Sequence, residues 1–130
     1  MKLLLSLFLL ITPLLSHAEW EAVDENFLAT VYIDVDRIRE SSLYPQVWQL
    51  MDLKKMSTTG VRSRRALIEY DCKERKRRTL AFSSHIEAMA EGKPKFTNAT
   101  ATQWQPISGD TVAETIFLRL CGEGKGHGAH

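Results

Sequence analysis

Five of the six residues from Lys73 to Arg78 are cations, broken only by Glu74, and Arg62, Arg64 and Arg65 stand just upstream. The chemistry open to such a cluster is electrostatic: attraction of an acidic protein or another polyanion. Arg64, Arg65, Lys73, Arg75, Lys76, Arg77 and Arg78 are therefore the candidate partner-binding residues. The plainer alternative is a solvated hairpin tip whose cations discourage other chains from adding a strand. Nucleic-acid binding calls for interleaved stacking aromatics and an overall basic balance, and the cluster has neither. No nucleic-acid partner is expected.

Other reactive residue types form no recognisable catalytic set. Of the four histidines, His17 falls in a leader segment and His127 and His130 in a glycine-rich tail, which leaves His85 for acid-base work. Asp34, Asp36, Glu69 and Asp71 supply carboxylates without a pattern that selects a reaction. No nucleophile elbow, phosphate loop or zinc-binding helix motif occurs, so the expectation is a non-enzyme with no cofactor and no metal site. Asn98-Ala99-Thr100 fits a glycosylation acceptor and is read as a chance match. Trp20, Trp48 and Trp104 are read as suppliers of core area in preference to the lining of a ligand groove.

The positioning framework begins with an address. Met1-Lys2, an apolar run from Leu3 to Leu15 and the small residues of Ser16-His17-Ala18 read as a signal peptide over residues 1–18, cut before Glu19. The apolar run is too short for a spanning helix, which needs roughly 20 residues, so no stable membrane anchor is expected. The expected location is the periplasm or the exterior. Removing residues 1–18 from 130 leaves 112, with 16 basic residues against 16 acidic. That length suits one domain with one modest core, here 19–122, and the balanced charge excludes any argument from global field. In an oxidising compartment Cys72 and Cys121 are expected to be paired, closing a loop worth about 4 kcal/mol in the chain-entropy model. Residues 123–130 contain too much glycine to pack and read as a flexible tail.

Strand signals dominate the rest. Trp20 to Asp24 alternates, and Phe27, Ala29, Val31, Ile33 and Val35 hold a period of two, which would pair readily with a second copy if it lay at a sheet edge. Gln46 to Leu53 is read as a strand, although Val47, Leu50 and Met51 would also group on a helix. Arg65–Cys72 and Arg78–Ser84 form a hairpin, with Ala66, Ile68, Tyr70 and Cys72 facing inward beside Leu80 and Phe82. His85 to Gly92 either extends that strand or turns briefly helical. Ser108-Gly109-Asp110 offers a cap for a helix carrying Val112, Ile116, Leu120 and Cys121, stopped at Gly122.

The Trp20 strand, Val31-Tyr32-Ile33-Asp34, Trp48, Tyr70-Asp71-Cys72 before a basic turn, Trp104 before Pro106 and a helix ending in Cys121 together resemble the surface-adhesin protein E family. The resemblance implies a small antiparallel sheet backed by a C-terminal helix, with the two cysteines joined, and binding to extracellular host proteins. The chain departs from lipid-anchored members in having no cysteine at the cut. The expected fold class is α+β: a single antiparallel sheet of five or six strands with one C-terminal α-helix tied to it by the disulfide. The expected function is non-enzymatic binding of an extracellular or envelope protein through the basic hairpin or the sheet surface. Two alternatives stand beside it: a periplasmic envelope-assembly scaffold, and an inhibitor that inserts the Lys54–Gly60 loop into a secreted hydrolase.

Overall fold

The computed structural model describes residues 18–122. The proposed leader, apart from Ala18, and the proposed tail over 123–130 lie outside the described residues. Seven antiparallel strands form one sheet: β1 (Trp20–Glu25), β2 (Ala29–Asp34), β3 (Gln46–Leu53), β4 (Ser63–Asp71), β5 (Lys76–His85), β6 (Pro94–Asn98) and β7 (Gln105–Pro106). The first six neighbour one another in chain order, and the two-residue β7 pairs with β5. A single helix, α1 (Val112–Cys121), completes the described residues. The fold class is as expected, and the strand beyond the expected six is β7.

Side chains of successive strand residues point to opposite faces, so the register assigns every residue to one of two surfaces. On the first face, Ala29, Val31 and Ile33 of β2 lie beside Val47 of β3 and Ile68 and Tyr70 of β4. The helix lays Ile116, Phe117 and Cys121 over one end of this face, and they form the core with Ile33, Val47, Ile68, Tyr70, Cys72 and Ile107. Cys72 and Cys121 are bonded within that core, their Cα atoms 5.5 Å apart. The disulfide therefore closes the docking of the helix on the sheet.

Local chemistry explains the element ends. The Thr111 hydroxyl accepts from the Glu114 N–H at 3.2 Å and caps α1, one residue beyond the expected Ser108-Gly109-Asp110 cap. Gly122 stops the helix as expected, at a φ of 73° that suits a residue without Cβ. β2 ends at Asp34, whose carboxylate accepts from the Asp36 N–H, so Val35 enters a 3-10 turn instead of continuing the strand. β5 ends at His85, and the chain then makes a 3-10 turn at Ala88–Ala90, so both readings of that stretch hold in part.

Two expectations are corrected, on Leu80 and on the tryptophans. β2 is an interior strand, so the condition for its pairing with a second copy is not met. The exposed edges, β1 and β6, carry Glu21, Asp24 and Glu25 on one side and Lys95 on the other, charges that discourage strand addition. Leu80 does not share a face with Phe82 by simple alternation: Leu67 pairs Ala81 and Ile68 pairs Thr79, so Leu80 sits in a bulge. The three tryptophans are half-buried at the surface, and none belongs to the core.

Candidate functional site

The cations of the central hairpin do not form one positive edge. Adjacent strand residues face opposite ways, so β4 sends Arg64 to the helix face and Arg65 to the second face, and β5 divides Arg77 from Arg78 in the same manner. Lys73 and Lys76 are exposed at the hairpin end. Arg75 occupies the turn with φ 53° and folds back on the helix, where it meets Glu114 at 2.9 Å and lies 4.9 Å from the centre of the Phe117 ring. Its role is to fasten α1.

On the second face two arginines lie over tryptophans. The Arg65 guanidinium stands 4.1 Å from the Trp48 ring centre and that of Arg78 stands 4.5 Å from the Trp104 ring centre. Tyr44 adds a ring 6.0 Å from Trp104. Arg78 is further fixed by Glu69, at 2.7 Å, and Glu69 in turn accepts from Gln46 at 2.8 Å. A concavity of about 260 Å³ opens between Tyr44, Glu69, Asp71, Arg78 and Trp104. A neighbouring one of about 280 Å³ is lined by Trp48, Arg65, Ala81, Ser83 and Asn98 among others.

The Arg65 Nε is buried without a hydrogen-bond partner, and desolvation, reinforced by the nearby Arg37 charge and partly offset by Asp34, holds its pKa below the usual arginine value. Among the described residues no carboxylate lies within ion-pair distance of Arg64, Arg65, Lys73, Lys76 or Arg77. A guanidinium held over an aromatic ring is already oriented and partly dehydrated. Arg65, with no carboxylate among the described residues at ion-pair distance, is suited to receiving one from another molecule, whereas the Arg78 charge is already met by Glu69.

A further hollow of about 230 Å³ lies on the helix face beyond the reach of α1, with Arg64 and Arg77 in its lining. The stretch proposed for insertion into a hydrolase, Lys54 to Gly60, is tied to its neighbours. The Lys54 N–H donates to Leu28 O, the Ser57 N–H to Val61 O, and Lys95 Nζ to Thr59 O at 2.7 Å. His85 lies 2.8 Å from the Ser83 hydroxyl through its Nε2, and its Nδ1 is buried with no partner. Among the described residues no group of three or more His, Cys, Asp or Glu side chains is arranged to hold a metal, and no helix is long and apolar enough to cross a membrane.

With this geometry in place, the model of the family described as surface-adhesin protein E matches residues 20–122. The chain belongs to the surface-adhesin protein E family. Its fold is similar to that of Haemophilus influenzae protein E in crystal form II, with a TM-score of 0.62 and 15% identity, covering 81% of this chain and 88% of that one. No curated protein sequence matches the chain. Membership supports an adhesin-like, non-enzymatic protein that is exported or located at a surface. At 15% identity the structural likeness speaks for the fold alone.

Proposed function

We propose that this chain is an exported, adhesin-like protein that binds an acidic surface of an extracellular or envelope protein through the second face of its sheet. The observation that carries the reading is the pair of arginines held over Trp48 and Trp104. Tryptophan, tyrosine and arginine are the residues that dominate binding energy at protein interfaces. Here they form a band with shallow hollows between them and no catalytic group oriented for work. Lys73 and Lys76, exposed beside the band, add long-range attraction that speeds encounter and fades with salt. Arg64, Arg75 and Arg77 lie away from the band. Arg75 serves the helix.

The test is crosslinking of the exported protein to extracellular and envelope protein fractions, side by side with R65S/R78K. Arg78→Lys keeps a cation for the buried Glu69 while removing the guanidinium from over the Trp104 ring. The native protein should retain a partner that the variant loses. Equal recovery by both would refute this assignment of the site.

A further inference from the structure

The groove on the helix face has a composition unlike the tryptophan band. Its floor is aliphatic, from Val31, Ala66 and Ile68, and its lining includes no carboxylate. One end is marked by Arg64, whose guanidinium stands over the Phe82 ring, 4.0 Å from its centre, so that it is partly desolvated while the side chain as a whole stays exposed. The other end is marked by Arg77, which sits beside the Tyr70 hydroxyl. Between them Gln49 uses its Oε1 to accept from that hydroxyl, leaving its Nε2 hydrogens as donors. The rim thus presents donors and positive charge, its side-chain acceptors being the Thr79 hydroxyl and the Gln49 Oε1 already engaged by Tyr70.

Register sets the length. Arg77 pairs with Tyr70, six residues along β4 from Arg64, which places the two arginine backbones about 20 Å apart at the usual strand rise. A cation at each end of an apolar trough, with no internal counter-charge, is complementary to a ligand that is anionic at both ends and aliphatic between. An extended chain of about six residues spans that distance.

We infer that this groove receives an extended segment of a partner protein carrying two acidic residues four or six positions apart, with an aliphatic side chain on the same face between them seated over Ala66 and Ile68. The inference rests on the reading of the chain as a protein-binding protein and names a second, separate contact. The segment's carboxylates lie on the Arg64 and Arg77 guanidinium groups, and Gln49 Nε2 donates to its backbone carbonyls. Binding is weakened by salt, because both end contacts are ionic.

Selection of random peptides displayed on phage, panned against the exported protein and in parallel against R64S/R77S, tests it. The expected pool from the native protein is enriched in acidic pairs bracketing an aliphatic residue, and this pattern is absent from the pool selected on the variant. A selected peptide, titrated by fluorescence polarisation, should bind R64S at least about tenfold more weakly. Arg64 is exposed and bound to no carboxylate, so R64S alone carries the test if loss of Arg77 from Tyr70 unfolds the double variant. A pool without acidic enrichment, or the same pool from native and variant proteins, overturns the inference. Partner recovery that depends on Arg65 and Arg78 but not on Arg64 also overturns it, while leaving the binding function in place. Failure of both variant sets to change recovery removes both.

Discussion

Replacing both cysteines, as C72A/C121A, removes the covalent link between the hairpin and the end of the helix. The two positions are 49 residues apart, and releasing a loop of that size restores unfolded-chain entropy worth about 4 kcal/mol. Both residues are buried in the core, so the lost sulfur atoms add a smaller packing penalty of the same sign. At about 2.1 cal/mol/K per residue, the unfolding entropy of a domain of this size converts the loss to a fall in melting temperature of roughly 15–20 °C. Urea titration should follow helix ellipticity and tryptophan fluorescence together, since Ile116 and Phe117 join the helix to the same core as the sheet. The predicted result is one shared transition moved to lower urea, with the slope rising as the unfolded chain loses its crosslink. A loss of stability under about 1 kcal/mol would refute the claim that the disulfide fastens the helix against the sheet.

Other perturbations test separate contacts. Phe117→Ala, at a fully buried site, should cost about 3–5 kcal/mol in urea denaturation. Tyr70→Phe should cost about 1 kcal/mol by removing the hydroxyl that donates to Gln49. Burial raises the Tyr70 pKa well above its usual value, so the folded state holds that proton more tightly than the unfolded chain. Native stability should therefore begin to fall as pH rises past about 10, the unfolded value, and Tyr70→Phe should flatten that fall in melts taken across the alkaline range. Glu69→Gln should cost about 2 kcal/mol, because it removes the carboxylate that fixes Arg78 and accepts from Gln46, and equilibrium unfolding would measure it.

Much of the scaffold is written in local patterns. β2 is legible because one face is buried and its alternation is clean, and α1 because a cap, an apolar stripe and a terminal glycine agree. β3 is harder, since Val47 and Leu50 are both fully buried on opposite faces, and a strand covered on both sides loses its period of two. The bulge at Leu80 shifts face parity without any marker residue. The division of the cations was open to inference from alternation alone: Arg64 and Arg65, or Arg77 and Arg78, cannot share a face within one strand. Their ring partners were not, because Trp48 and Trp104 reach Arg65 and Arg78 only through strand pairing and a loop path that no short-range pattern encodes. The tryptophans were misplaced for the same reason. A flat ring under a guanidinium loses much of its exposed area without entering the core.

The central claim is that the arginine–tryptophan band is where a partner binds. Biosensor titration of the crosslink-recovered partner against native protein and R65S/R78K, at about 50 mM and about 500 mM salt, addresses it most directly. Binding to the native protein should be tight and salt-sensitive, and binding to the variant at least about tenfold weaker. Equal affinity for the two proteins at both salt concentrations would contradict it.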